Sequence, residues 1–178
     1  MSCRPALLLP LVCALGLVGC GSMMMNQSKA SATLTPTDAV APNPTSGKIA
    51  FSAVSDGVRM VGMVRGLAPN SEHGFHIHEK GDCSNKADAA GGHFDPTHTS
   101  HGEINAPTHH TGDLPSLIAD GTGTASVDAV LQDVSLGSGD ANDIMGRALI
   151  LHRDRDDYIS QPSGNSGPRI GCGVISKS

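Results

Sequence analysis

Short stretches that alternate apolar and polar residues, or that are rich in β-branched residues, recur along most of the chain and predict β-strands rather than helices. Asp56-Gly57 separates two of the alternating runs and indicates a hairpin turn. Strands at this spacing, with no strong helical segment, favour an antiparallel β-sandwich or barrel. The predicted strands cover residues 32–36, 47–54, 58–66, 74–78, 122–131, 146–152 and 169–175.

Two long polar segments interrupt this pattern. Residues 79–117 have little apolar periodicity and would form a loop of roughly 40 residues, far longer than compact domains normally contain. A second polar loop covers residues 153–168. The first segment therefore needs a source of order other than a hydrophobic core.

The N-terminus has the pattern of an export signal. Arg4 precedes an apolar run of roughly 14 residues, which is too short for a membrane-spanning helix of about 20 residues. The run ends in Leu17-Val18-Gly19-Cys20. This ending resembles a bacterial lipoprotein box, in which the cysteine is acylated and becomes the mature N-terminus. A plain secretory cleavage site is the alternative.

This interpretation divides the chain into three parts. The signal peptide covers residues 1–19, the lipidated Cys20 and a flexible tether cover residues 20–28, and a single domain covers residues 29–178. We therefore expect the protein in the cell envelope or periplasm, held to a membrane by its lipid. Gly21, in place of an aspartate after the cysteine, favours the outer membrane.

Charge and cysteine content narrow the function classes. The chain has 12 Lys and Arg against 17 Asp and Glu, a formal net charge of −5, and no basic run, which argues against a nucleic-acid partner. Of its cysteines, Cys3 and Cys13 lie in the predicted signal and Cys20 is the predicted lipid site. Cys83 and Cys172 are left. In an oxidising compartment we expect them to form a disulfide rather than to stay as two buried thiols.

Eight of the nine histidines lie within residues 73–110. In the predicted strand 74–78, alternation places an apolar pair on one face and both His76 and His78 on the other, so that the two imidazoles can share a metal. A nitrogen-rich site closed by one carboxylate suits zinc, and it would organise the long loop. The loop adds three imidazoles and a carboxylate to the pair, from His93, His101, His110 and Asp113.

Four motifs, GFHIHEKGDC, GGHFDP, HTGDLP and GNSGPRIGCGVI, resemble those of the copper,zinc superoxide dismutases, in the bacterial lipoprotein branch, over roughly residues 30–178. The resemblance implies an all-β, immunoglobulin-like Greek-key sandwich or barrel, with two long loops that form the metal site. It implies an enzyme that converts superoxide to dioxygen and hydrogen peroxide by redox cycling of copper, protecting the cell envelope. It also allows a homodimer.

The same resemblance implies one copper and one zinc per subunit and a role for each site residue. The copper ligands would be His76, His78, His93 and His152, and the zinc ligands His93, His101, His110 and Asp113. Bridging His93 would relay a proton, and Arg169 would bind the anionic substrate. Asp156 would accept hydrogen bonds from one copper and one zinc histidine. His73 corresponds to a structural histidine, whereas His98 and His109 match no ligand position.

A negative protein that attracts an anion needs a locally positive active-site rim. From their positions in the two loops, the candidate rim cations are Lys80, Lys86, Arg153 and Arg155.

The sequence leaves two alternatives to catalysis on superoxide. One is an envelope protein that binds copper or zinc without catalysis, which would have no need of Arg169 or Asp156. The other is zinc hydrolysis, which needs an open coordination position that three histidines and an aspartate would not leave.

Overall fold

The computed structural model describes residues 29–38 and 44–178. The predicted signal peptide, Cys20 and the tether lie outside the described residues and stay predictions. Within the described residues no helix is long and apolar enough to cross a membrane. The strands are β1 (Lys29–Pro36), β2 (Ser46–Val54), β3 (Gly57–Arg65), β4 (Glu72–His73), β5 (Phe75–His78), β6 (Leu117–Ile118), β7 (Ala125–Leu131), β8 (Ala148–His152), β9 (Arg169–Val174) and β10 (Ser176–Lys177).

The main sheet is antiparallel, with the strand order β5-β8-β9-β1-β2-β3-β7 and with β10 paired to β1. β4 and β6 form a separate two-stranded ladder. The chain crosses from β3 to β5 at the opposite end of the order, back to β7, and again to β8. These crossing connections are those of a Greek key. The prediction of an all-β Greek-key fold is confirmed.

Alternation of side chains along the strands builds the core on one face of this sheet. Leu34 in β1 and Met60 and Val64 in β3 are buried, whereas residues between them are more exposed. They pack in one cluster with Phe75 of β5 and Leu149 of β8. The period of two that predicted these strands therefore also selected the face that is buried.

The β2–β3 hairpin is present, but its turn lies one residue earlier than predicted. Val54 pairs with Gly57, so the turn residues are Ser55 and Asp56 rather than Asp56-Gly57. Gly57 is the first residue of β3 and has a φ of +133°. A Cβ there would clash with the carbonyl oxygen of Leu131 in the neighbouring β7. The glycine is needed for this close approach rather than for the turn itself.

Two long segments outside the strands are also as predicted. The first loop (residues 79–116) contains only a short 3-10 helix, Asn85–Ala90, and the second loop (residues 153–168) contains no helix or strand. The predicted disulfide is confirmed, because Cys83 and Cys172 are bonded with their Cα atoms 5.8 Å apart. It fastens the first loop to β9. Small buried residues of the 3-10 helix pack beside it, on Ile150 of β8.

Candidate metal centre

β5 is the strand on which the site is built. Phe75 and Ile77 pack into the main core, whereas His76 and His78 belong to a cluster of histidines under the loops. β5 is the last strand of its sheet, and the first loop folds back along its free edge. The backbone N–H of Ile77 donates to Gly112 (2.8 Å), and Phe94 donates to Ile77 (2.8 Å). This pairing brings loop histidines beside the two strand histidines.

Four buried histidines form the first donor set. Each offers one ring nitrogen that lies within 4.8 Å of the nitrogens of the others. In each ring one nitrogen has no hydrogen-bond partner, although buried polar atoms are ordinarily paired. The unpartnered atoms are His76 Nδ1, His78 Nε2, His93 Nε2 and His152 Nε2.

The opposite nitrogen of the strand histidines fixes the orientation of each ring. His76 Nε2 donates to Asp156 (2.7 Å), His78 Nδ1 to the Gly91 carbonyl (3.0 Å), and His152 Nδ1 to the Gly167 carbonyl (2.9 Å). In a neutral imidazole the other nitrogen then carries a lone pair. Burial lowers the pKa of His76 to about 3 and that of His152 to about 4, so both rings are neutral near pH 7. The set therefore presents converging lone pairs, which is what a bound metal requires.

The second donor set is His93, His101, His110 and Asp113, all buried and again within 4.8 Å of one another. Asp113 Oδ1 lies 2.8, 3.0 and 3.5 Å from the Nδ1 atoms of His93, His101 and His110. A tetrahedral ion with bonds of about 2.0–2.1 Å separates its ligand atoms by roughly 3.3 Å. The spacing therefore suits zinc. His93 presents Nδ1 to this set and Nε2 to the first, so its ring lies between them.

Asp156 joins the two sets from outside. One oxygen accepts from His76 Nε2 (2.7 Å) and the other from His101 Nε2 (2.9 Å). Burial opposes charge on His101, but its hydrogen bonds to Asp113 and Asp156 outweigh burial and raise its pKa to about 9. Burial also opposes charge on Asp113 and Asp156. The hydrogen bonds that these carboxyls accept from the histidines outweigh burial and hold both pKa values below their usual range. Asp156 thus lies where its predicted role requires.

Arg169 lines a cleft of about 710 Å³ together with His78, His93 and His152. Its guanidinium donates to the carbonyls of Ala87 and Gly91, the latter at 2.6 Å. Both carbonyls belong to the segment that the disulfide holds against β9. Partial burial lowers the pKa of Arg169, yet a guanidinium stays protonated at physiological pH.

None of the four predicted rim cations lines this cleft. Arg153 is exposed and pairs with Asp154 at 2.9 Å, while Lys86 approaches Asp38 at 3.7 Å. The four cations therefore lie outside the lining of the cleft, and their role in attracting the substrate stays a prediction.

The second cation of the cleft is Arg147, which the sequence analysis missed. Its guanidinium lies 3.5 Å from the centre of the Phe94 ring and donates to the backbone of Glu79 (2.8 Å) and Asp143 (2.7 Å). A basic residue directly before the buried strand β8 was the available signal.

The remaining histidines lie outside both donor sets. His73 is buried, and its Nδ1 donates to the carbonyl of His152 (2.9 Å), so it supports the backbone of a residue in the first set. His98 lines the cleft. His109 Nδ1 donates to the Ala106 carbonyl (3.0 Å), and its Nε2 lies 3.3 Å from Asp133. Neither of the last two belongs to either donor set.

Fold and site together define a metalloprotein in which an antiparallel sheet and two long loops enclose two adjacent donor sets that share one histidine. The family model described as copper/zinc superoxide dismutase (SODC) matches residues 45–175. The chain therefore belongs to the copper,zinc superoxide dismutase family.

Individual relatives agree with the family match. The chain is 40% identical over 133 residues to "Superoxide dismutase [Cu-Zn] 2" of Aquifex aeolicus, covering 72% of this chain and 78% of that protein. It is 37% identical over 162 residues to the "Superoxide dismutase [Cu-Zn]" of Paramecium bursaria Chlorella virus 1, covering 86% and 85%. Among solved structures, the clock protein EA4 superposes with a TM-score of 0.75 at 38% identity, covering 85% of this chain and 95% of that one.

Proposed function

We propose that this chain is a superoxide dismutase whose copper and zinc bind to the two donor sets that share His93. Family membership supports the activity, conversion of superoxide to dioxygen and hydrogen peroxide, and both cofactors. One observation carries the placement: four buried, unpartnered ring nitrogens converge beside a cleft lined by Arg169. The proposed copper ligands are His76, His78, His93 and His152, and the proposed zinc ligands are His93, His101, His110 and Asp113.

When bound, copper supplies one-electron oxidation and reduction. Zinc cannot supply them, because it has no accessible redox change. Arg169 provides the positive charge that binds superoxide. Two backbone carbonyls hold its guanidinium in one orientation. A guanidinium has five N–H donors, so others remain for the anion. The charge is therefore fixed in place before substrate arrives.

His93 is the proposed proton carrier. An imidazole that binds two cations has lost both ring protons, which requires the charge of both metals near neutral pH. Its Nε2 belongs to the set nearest Arg169, and the residue lines the cleft. When copper does not occupy that nitrogen, it would take up a proton from water, and that proton could pass to the peroxide product. Asp156 keeps His76 and His101 oriented on either side.

Metal loading tests this proposal. Superoxide consumption is measured for copper-loaded, zinc-loaded and doubly loaded protein against free-metal controls. Activity is expected wherever copper is bound and not with zinc alone. A copper-loaded protein no faster than the free-metal control would refute the enzymatic function and leave a metal-binding protein.

We also propose that the enzyme acts at the cell envelope, anchored by a lipid on Cys20. The apolar run before Cys20 supports export, and the disulfide between Cys83 and Cys172 suits an oxidising compartment. Mass spectrometry of the mature N-terminus tests the lipid, with Cys20→Ala as the variant expected to leave the membrane fraction. An unmodified N-terminus at another residue would refute the anchor. Fractionation of cells with two membranes tests the preference for the outer one.

The homodimer allowed by the resemblance is tested by light scattering on lipid-free protein. A mass of one chain at micromolar concentration would refute it.

A further inference from the structure

The second loop contacts the backbone of His101 as well as its ring. The side-chain amide of Gln161 pairs with this one residue twice: Gln161 Oε1 accepts from the His101 N–H (2.8 Å), and Gln161 Nε2 donates to the His101 carbonyl (3.0 Å). In the part of the chain that the structure describes, these are the only hydrogen bonds that either backbone group makes. Gln161 thus supplies to this loop residue the two backbone hydrogen bonds that a neighbouring strand supplies to a residue in a sheet.

A tyrosine fastens the same loop at a second point. Tyr158 Oη donates to Ser116 Oγ (2.7 Å) and accepts from the Ser116 N–H (3.1 Å). The backbone N–H of Tyr158 donates to Asp156 Oδ1 (2.7 Å), the oxygen that also accepts from the His101 ring. Ser116 follows Asp113 by three residues, so this contact joins the Asp156 segment to the end of the first loop.

We propose that Gln161 and Tyr158 are positioning residues for the zinc site. Gln161 fixes the position of the His101 backbone. Tyr158 fixes the position of Asp156, which in turn orients the His101 ring. The proposal rests on the zinc assignment made above. It follows from the position of His101, which lies outside every strand and is only 4% exposed. Within the described residues, the backbone of His101 makes no hydrogen bond to other backbone groups of its loop. A ligand on irregular backbone is precise only if its surroundings hold it.

The two donor sets should respond differently when Gln161 is changed. His101 belongs only to the second set, whereas His76, His78 and His152 are carried by β5 and β8. Groups that orient a metal ligand typically contribute 10- to 100-fold to metal affinity. Gln161→Met keeps the length of the side chain and removes both hydrogen bonds. We expect zinc release to a chelator to become about tenfold faster, with the copper content and the copper absorption spectrum unchanged.

Gln132 offers a matched control. It is an exposed glutamine just after β7, and none of its side-chain atoms makes a hydrogen bond within the described residues. Gln132→Met is expected to release zinc at the native rate. Tyr158→Phe, which removes only the hydroxyl, is expected to accelerate zinc release as well. Urea unfolding of the metal-free variants measures general stability, and we expect a lower midpoint for Gln161→Met, because two buried backbone groups lose their partners. Zinc release that accelerates while the copper content stays native separates positioning from this general loss.

The experiment begins with the zinc content of the native protein. A native protein that binds no stoichiometric zinc would overturn the zinc assignment itself. If zinc is bound but Gln161→Met releases it within twofold of the native rate, the positioning role is overturned while the proposed function stands. Equal acceleration in Gln132→Met, or a lowered urea midpoint with unchanged zinc release, would also overturn it.

Discussion

Removing the disulfide should destabilise the metal-free protein by about 4.6 kcal/mol at 25 °C. Cys83 and Cys172 are 89 residues apart. In the chain-entropy model a closed loop of this length lowers the entropy of the unfolded chain by about 15.5 cal/mol/K, which is the source of that figure. Domains of this size are stable by about 5–15 kcal/mol. The loss would therefore remove much of the stability that holds the site before metals bind.

The loss can be measured by urea unfolding of metal-free protein, oxidised and reduced, and of the variant with both Cys83→Ala and Cys172→Ala. Circular dichroism is the suitable probe, since the chain has one tyrosine and no tryptophan. Reduction should lower the free energy of unfolding and raise the urea slope, because the freed unfolded chain exposes more surface. Superoxide consumption should also fall, since the carbonyls that hold Arg169 lie in the fastened segment. A loss below about 1.5 kcal/mol with an unchanged slope would refute an unfolded-state origin.

Three further predictions concern the charges of the site. Arg169→Ala should slow superoxide consumption with copper and zinc content unchanged, whereas Arg153→Ala, outside the cleft, should not; loss of metal in the first variant would assign Arg169 a structural role. Zinc must displace the proton of His101, whose pKa is about 9, so the apparent zinc affinity measured by chelator competition should rise up to tenfold per pH unit between pH 7 and about 9 and then flatten. A flat profile over that range would contradict a protonated His101. The activity should fall with added salt, and Arg147→Met should weaken that dependence with metal content retained; an unchanged salt dependence would exclude Arg147 from steering.

Sequence patterns predicted the seven longer strands and the faces on which their side chains lie, but not the two-residue strands β4, β6 and β10. The separation of Phe75 and Ile77 from His76 and His78 follows from the period of two, and the structure places the two pairs in different surroundings. The hairpin was predicted, but its turn lies one residue earlier than expected. The glycine that indicated the turn is required instead by the close approach of Leu131 in another strand. Local patterns do not record such contacts.

The loops were predictable only in part. Which histidines would converge came from the family resemblance, since no periodic signal runs through residues 79–116. Gln161, Tyr158 and Arg147 were not found at all. Each acts through backbone groups or rings far away in sequence; the contact between Gln161 and His101, for example, spans 60 residues. An isolated glutamine in a polar loop carries no sign of such a partner.

The two donor sets differ in the charge that holds them together without metal. The first consists of neutral imidazoles, which burial keeps from binding protons. In the second set, three histidines surround the carboxylate of Asp113, and His101 lies between Asp113 and Asp156. Because the pKa of His101 is raised to about 9, its proton places a positive charge between the two carboxylates. Zinc replaces that proton with a larger charge at nearly the same place. The two sets are also joined outside the metals: His76 and His101 bond to different oxygens of Asp156, so a displacement of His101 on zinc loss is expected to reach His76 through this one carboxylate.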